Sequence, residues 1–288
     1  MRRMAATDFD LDAYLHRIAY TGPREPTLAV LTALCAAHPA AIPFESIDPL
    51  LGRPPSLAIA DIQGKLIDRR RGGYCFEQNA LLRRALLALG FDVTSLAARV
   101  VWMVPPDAPV RPRTHMLLLV TVPGDATRPR LVDAGFGGHL INVPLRLQAG
   151  LLQASPASQL RFTEAGDVFT LESQLPEGWR PLYRFTLETM LPTDYEPLNW
   201  FTATHPTSIF RHNLRMERLT PGTRASLLND RLTLRTPGQP ASMRQLATAG
   251  EFAQVLEEVF DVQPPLPAAE LFERLPKGLD GPLIPSLG

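Results

Sequence analysis

The chain has 288 residues, enough for two or three structural lobes and a sizeable core without disulfides or a structural metal. Apolar residues make up 45% and charged residues 20%, which excludes a wholly disordered chain. Lys+Arg 29 against Asp+Glu 29 gives a formal net charge of +0, so neither nucleic-acid binding by bulk charge nor a polybasic membrane surface is expected.

Residues 1–90 read as helical. The start, MRRMAATDFDLDAYLHRIAY, has no apolar h-region and reads as no signal peptide. Leu11, Tyr14, Leu15 and Ile18 recur at three- and four-residue spacing after Asp8, the expected N-cap. Thr27 opens the apolar helix LAVLTALCAAH, which must stop before Pro43. Asp61 opens IQGKLIDRR, and Gly72–Gly73 reads as a tight turn that interrupts it. CFEQNALLRRALLAL is then strongly helical and closes at Gly90, a good C′ residue. From Phe91 the pattern changes to strand-like runs: VTSLAARVVWMV, MLLLVTV, RLVDAGF, NVPLRLQ, RFTEAGDVFTLESQ and PLYRFTLE, with Gly166-Asp167 as a hairpin turn. Near the end, DRLTLRT suggests a strand and TAGEFAQVLEEVF a helix, and the Pro/Gly-rich tail reads as only locally ordered. No apolar run reaches the roughly 20 residues of a membrane helix. A cytoplasmic location is therefore the default expectation, where two free thiols are ordinary.

Two cysteines, Cys35 and Cys75, exclude a disulfide framework, and the six histidines show no ligand spacing for a metal. Cys35 sits inside an apolar helix and reads as core filler. Cys75 sits in Arg71-Gly-Gly-Tyr-Cys75-Phe-Glu-Gln-Asn79, at a helix start. A thiol there meets free backbone N–H groups and the positive end of the helix dipole, which favour the thiolate. A buried cysteine is otherwise a small apolar residue, so the setting decides the reading. A nucleophilic cysteine needs a base and an orienting group. His115 opens the apolar strand Met116–Val122, and Asp133 ends LVD before the glycine-rich Ala134-Gly-Phe-Gly-Gly138. If the two strands form a hairpin reversing near residues 124–126, His115 and Asp133 lie at the same end. His16 and His38 read as surface or packing residues. Arg69-Arg70-Arg71 and Arg83-Arg84 read as solvated helix faces with one internal ion-pair partner. Gly135-Phe-Gly137-Gly138 does not have phosphate-loop spacing; it reads as a plain turn or a point of close ligand approach.

Several separated stretches resemble the arylamine N-acetyltransferases of bacterial type: Pro43-Phe44-Glu45-Ser46-Ile47-Asp48-Pro49-Leu50-Leu51-Gly52, the Arg71–Asn79 run, Arg99-Val-Val-Trp102 with Thr114-His115, Val132-Asp133-Ala-Gly-Phe-Gly-Gly138, and Asn199-Trp-Phe-Thr-Ala-Thr-His-Pro-Thr-Ser208-Ile-Phe210. The resemblance implies an α+β fold in three parts: a helical bundle over 1–90, an antiparallel β-barrel-like domain over 91–198 and an α/β lid over 199–288. It implies a papain/transglutaminase-like triad of Cys75, His115 and Asp133. Arg71 and Glu77 would form a structural ion pair behind the cysteine. Phe44, Phe136 and Phe210 would line the acceptor and acyl pocket, and Trp102, Thr114 and Gly137 would lie near the coenzyme A arm. The implied partners are acetyl-CoA as acyl donor and small aromatic amines, hydrazines or arylhydroxylamines, with no metal, nucleic acid or membrane. Two rivals remain: other acyl transfer by the same triad (amide synthesis on a polyketide chain, or peptidase- or transglutaminase-like chemistry), and a non-catalytic ligand-binding protein of the same fold.

Overall fold

The computed structural model describes residues 9–276 apart from 106, 156 and 157. The N-terminal part carries helices α1 (Leu11–Arg17), α2 (Leu28–Ala41), α3 (Ile47–Leu50), α4 (Ile59–Gln63) and α5 (Cys75–Ala88), with the short strand β1 (Phe44–Glu45) between α2 and α3. The expected cap Asp8 lies outside the described residues. Asp10 caps α1 instead, its carboxylate accepting the Ala13 N–H at 2.9 Å. Thr27 caps α2 as expected, and Pro43 follows the helix end. α4 begins two residues before Asp61, whose carboxylate accepts the Ser56 hydroxyl at 2.6 Å instead of capping, and the backbone runs on as a π-helical turn over Gly64–Asp68. Gly72–Gly73 is an extended segment rather than a tight turn. Gly73 pairs with the 43–45 segment, its carbonyl accepting the Glu45 N–H at 3.0 Å. α5 ends before Gly90, which takes φ +91 as the expected C′ residue.

The middle of the chain forms one antiparallel sheet from β2 (Asp92–Val100), β3 (His115–Thr121), β4 (Arg130–Val132), β5 (Leu145–Arg146), β6 (Gln153–Ala154), β7 (Gln159–Ala165), β8 (Val168–Leu175) and β9 (Gly178–Phe185). Its order, β5-β4-β3-β2-β9-β8-β7-β6, leaves β5 and β6 at the two ends. The Gln153 side chain joins those ends: its Oε1 accepts the Arg146 N–H at 2.7 Å and its amide donates to the Arg146 carbonyl at 3.0 Å. The sheet is thus a nearly closed barrel, and closure removes exposed edges. Alternate side chains (Leu96, Leu117, Leu131, Leu160, Phe162, Leu171, Leu182) fill its interior. Gly166-Asp167 is the two-residue turn between β7 and β8, as read from the sequence. The run expected as a strand through Val104 stops at Val100, where the Val101 and Trp102 N–H groups both turn onto the Leu182 carbonyl.

The chain continues through α6 (Pro192–Thr204) and α7 (Ile209–His212), then β10 (Arg215–Thr220), β11 (Thr223–Leu228), β12 (Arg231–Arg235) and β13 (Ser242–Gln245), and ends in α8 (Ala249–Gln254), a π-helical turn and α9 (Ala268–Glu273). DRLTLRT and the helical TAGEFAQVLEEVF are confirmed, whereas β10, β11, β13, α6, α7 and α9 carried no readable pattern. The tail lies largely outside the described residues. The second sheet has the order β1-β10-β11-β12-β13, so Phe44 and Glu45 from the N-terminal part form its edge. Its other face packs Met216, Ala225, Leu227 and Leu232 on Phe252, Leu256 and Leu271. α5 packs across β2 and β3, placing the N-terminus of α5 at the open end of the β3–β4 pair. Among the described residues, no helix is long and apolar enough to cross a membrane.

Truncating Phe162, fully buried inside the barrel, removes a ring that nothing else can replace. Phe162→Ala is expected to lower the unfolding free energy by about 3–5 kcal/mol, read as a lower urea midpoint at unchanged slope.

Candidate active site

Cys75 is the first residue of α5, so its backbone N–H has no partner within the helix. Glu77 reaches back to accept the Tyr74 N–H at 3.2 Å and holds the entry to that helix. The Cys75 thiol donates to the Thr114 carbonyl at 3.6 Å, immediately before His115. β3 and β4 pair with Leu118 opposite Val132, which leaves His115 and Asp133 at one end of the hairpin, as the reversal near 124–126 predicts. The His115 Nε2 lies 2.7 Å from Asp133 Oδ2. Both side chains are buried. Burial disfavours the charged ring, but the Asp133 carboxylate, its hydrogen bond and the neighbouring Cys75 outweigh it and raise the His115 pKa to about 10. Asp133 is held below the usual carboxylate range. Burial opposes this, but the His115 charge and hydrogen bond, the Asn79 amide and the Gly135 N–H prevail.

The remaining valences of that carboxylate are met by Asn79, to which the sequence reading gave no role, and by Gly135 of the glycine-rich loop. Asn79 Nδ2 donates to Asp133 Oδ1 at 3.0 Å and to the Met116 carbonyl at 2.7 Å, while its Oδ1 accepts the Ala134 N–H at 3.0 Å. The Gly135 N–H donates to Asp133 Oδ1 at 2.9 Å. One signal for Asn79 was available: it stands four residues after Cys75 on the same helix, hence on the same face. The Tyr183 ring lies 5.1 Å from His115, and burial with the adjacent Asp133 charge pushes its hydroxyl pKa well up. Tyr183 comes from β9, and no local pattern announces that it reaches this point.

The glycine-rich loop after Asp133 lets the protein approach itself. A Cβ on Gly135 would stand 2.5 Å from the Cys75 Cα, and one on Gly137 would stand 2.4 Å from the Phe44 ring. From β10, Glu217 accepts the Gly138 N–H at 2.5 Å and the Leu140 N–H at 3.0 Å and pairs with Arg224 Nε at 2.8 Å. Phe44 and Phe210 come together at 6.0 Å between ring centres. Phe136 instead packs edge-on to His115 at 5.2 Å and joins the barrel interior. Trp102 lies beside Gly138 and 5.9 Å from His139.

Arg71 and Glu77, expected as an ion pair, each find other partners. Arg71 Nη2 lies 2.6 Å from Glu45 and 3.2 Å from Asp48, and Glu77 lies 2.7 Å from Lys65. The cause is charge accounting. The buried Glu45 and Glu77 and the half-buried Asp48 share Lys65 and Arg71, and of these two cations Glu77 pairs only with Lys65. Burial, opposed by Lys65 and aided by Glu45 and Asp48, raises the Glu77 pKa to about 7. Arg71 is thus the internal ion-pair partner of its run, while Arg70 is exposed and bonds Asp261. His38 is a packing residue, one of the two expected alternatives, between the Tyr14 hydroxyl at 2.9 Å and Gln78 at 2.7 Å. Among the described residues, no group of three or more His, Cys, Asp or Glu is placed to hold a metal ion.

The N-acetyltransferase family matches residues 27–266 of the chain. An arylamine N-acetyltransferase of Mycolicibacterium smegmatis is 43% identical over 251 residues, covering 87% of this chain and 90% of that protein. A solved structure of the M. smegmatis arylamine N-acetyltransferase superposes with a TM-score of 0.88 at 38% identity, covering 95% of this chain and 100% of that one. The Mycobacterium marinum arylamine N-acetyltransferase in complex with CoA gives 0.86 at 38% identity, covering 92% and 99%. The family match and the relatives therefore place the chain among the acetyltransferases. The chain belongs to the arylamine N-acetyltransferase family.

The two cysteines should separate chemically. Burial pushes the Cys35 thiol up to about 12, so it stays neutral and enclosed at neutral pH. Iodoacetamide at about pH 7.5 should add one carboxamidomethyl group to the native protein, at Cys75, and two after denaturation. Peptide mass mapping checks the position.

Proposed function

We propose that the protein acetylates arylamines, hydrazines and arylhydroxylamines from acetyl-CoA by a ping-pong reaction through an acetyl-Cys75 intermediate. The observation that carries this reading is the Cys75 thiol at a helix N-terminus beside an imidazole bonded at 2.7 Å to a buried carboxylate. The family membership and the CoA complex of the M. marinum relative support it further.

In this reading the Cys75 thiolate attacks the thioester carbonyl and the C–S bond to coenzyme A breaks. His115, held protonated beside Asp133, gives its proton to the departing coenzyme A sulfur. The neutral ring then takes a proton from the amine as its nitrogen attacks the acetyl carbonyl. Cys75 leaves as thiolate, and the ion pair is restored. Asp133 orients the ring and stabilises its charge. The free Cys75 N–H is a donor for the oxyanion. Phe44 and Phe210 form one wall of an apolar acceptor pocket, with Phe136 behind His115. Trp102, Thr114 and Gly137 lie toward the coenzyme A arm. Arg71, Glu77 and their partners support the helix entry without touching substrate. The three-part division at 90/91 and 198/199 and a cytoplasmic location belong to the same proposal; α6 runs across residue 198.

Incubation with acetyl-CoA alone should add one acetyl group to the intact protein, located on Cys75. Cys75→Ala should abolish both the adduct and amine acetylation, while Cys35→Ala remains active. A Cys75→Ala protein acetylating arylamines at the wild-type rate contradicts the reading.

A further inference from the structure

Two side-chain amides of α5 lie one turn beyond Cys75. Residues three and four apart share a helix face, so Gln78 and Asn79 both lie on the Cys75 side of the helix. Asn79 serves Asp133. Gln78 serves the opposite flank: its Nε2 lies 2.7 Å from the Pro43 carbonyl, 3.2 Å from the Gly73 carbonyl and 3.3 Å from the Ile42 carbonyl. Those carbonyls belong to the two segments that carry Phe44 and Cys75. The segments already run side by side, with the Glu45 N–H on the Gly73 carbonyl at 3.0 Å. A Cβ on Gly72 would collide with the Pro43 carbonyl, so their approach is as close as glycine permits. One amide thus ties the Phe44 wall to the entry of the helix that bears the thiol.

Gln78 is itself held from behind. Carbonyls only accept, so the amide nitrogen faces them and Oε1 faces His38 Nε2 at 2.7 Å. Oε1 also only accepts, so Nε2 carries the ring hydrogen. Burial, aided by the Arg17 charge and opposed by the Gln78 bond, pushes the His38 pKa down to about 4. The ring is therefore neutral at neutral pH, and Nδ1 accepts the Tyr14 hydroxyl at 2.9 Å. Donation runs one way, from Tyr14 on α1 to His38 on α2, to Gln78 on α5, to the carbonyls of 42, 43 and 73. All three side chains are fully buried. A satisfied buried chain of this kind fixes one geometry, because loss of any member leaves another unpaired. Its far end bears on a ring with no slack: Phe44 meets Phe210 at 6.0 Å and leaves no room for a Cβ on Gly137.

We propose that the buried chain Tyr14–His38–Gln78 sets the position of Phe44 relative to Cys75 and so governs the fit of ring-bearing acceptors, with Gln78 as the positioning residue at its end. The inference rests on the acetyl-transfer reading above and adds a determinant of acceptor choice that touches neither substrate nor triad. A misplacement of about 1 Å at a reacting pair can cost up to about a hundredfold in rate, so a small shift of the 42–45 segment suffices.

A competition assay reads this directly. Acetyl-CoA is supplied with an equimolar mixture of 4-methoxyaniline and hydrazine, and the ratio of the two acetylated products is measured. Both acceptors draw on the same acetyl-enzyme, so a slower first half-reaction or a smaller folded fraction cancels. Only the acceptor with a ring meets Phe44. Gln78→Met keeps the length of the side chain and removes its donors; it should lower the arylamine-to-hydrazine ratio about tenfold. His38→Leu should lower it about threefold. Leu34→Ala opens a cavity in the same core, one turn before His38 on α2, and should keep the wild-type ratio while lowering stability. A wild-type ratio in either Gln78→Met or His38→Leu overturns the proposal, as does an equal fall in Leu34→Ala. Calorimetric affinity of 4-methoxyaniline for the free proteins keeps the two readings apart. Wild-type protein that forms no acetyl-enzyme removes the acetyl-transfer reading. The chain's positioning role then stands if Gln78→Met binds the amine more weakly than Leu34→Ala and wild type, and falls if all three bind it equally.

Discussion

A single buried carboxylate organises the centre of this protein. Asp133 is enclosed, and an enclosed charge must be paired and fully hydrogen-bonded to be tolerated. Its two oxygens receive His115 from β3, Asn79 from α5 and the N–H of Gly135 from its own loop. Each donor belongs to a different element, so satisfying one charge also fixes helix, strand and loop against one another. The Asn79 amide strengthens this by bonding the Met116 carbonyl and the Ala134 N–H as well. The imidazole that results is charged, buried and beside a thiol, a combination that neither burial nor hydrogen bonding alone would produce.

From that point a closed path of contacts runs through all parts of the chain. Gly135 meets Cys75, Gly137 meets the Phe44 ring, Phe44 pairs with Glu217, and Glu217 returns to Gly138 and Leu140. Gly73 bridges Phe44 on the other side, two residues before Cys75. The C-terminal sheet therefore shapes the cleft through Glu217, whose carboxylate holds the loop N–H groups of Gly138 and Leu140 and pairs with Arg224.

Much of the site could be read in the sequence because the information there is local. Cys75 at a helix start, Gly90 at the helix end, the β3–β4 reversal and the Gly166-Asp167 turn each depend on a few adjacent residues, and each stands as expected. Elements that depend on distant partners stayed hidden. β10 and β11 turn Glu217 and Arg224 toward the 135–140 loop, so charges occupy inward positions and break the alternation that marks a strand. Pro192 and Pro197 obscure α6, although Pro192 is well placed at its first turn. The Arg71–Glu77 pairing failed for a similar reason. Their proximity in sequence suggested a pair, but Glu45, Asp48 and Lys65 compete for the same charges once the fold brings them in. The barrel's closure by a Gln153 side chain follows from no pattern of hydrophobicity.

The central physical claim is that Asp133 keeps the His115 ring protonated beside Cys75. Nitrogen-15 NMR of the labelled imidazole tests it most directly. Between about pH 6 and pH 8 the His115 ring of the resting protein should be doubly protonated, because its pKa is raised to about 10. In Asp133→Asn, burial should dominate and leave the ring neutral over the same range. A neutral His115 in the wild-type protein at pH 7, or a ring that titrates identically in both proteins, contradicts the account.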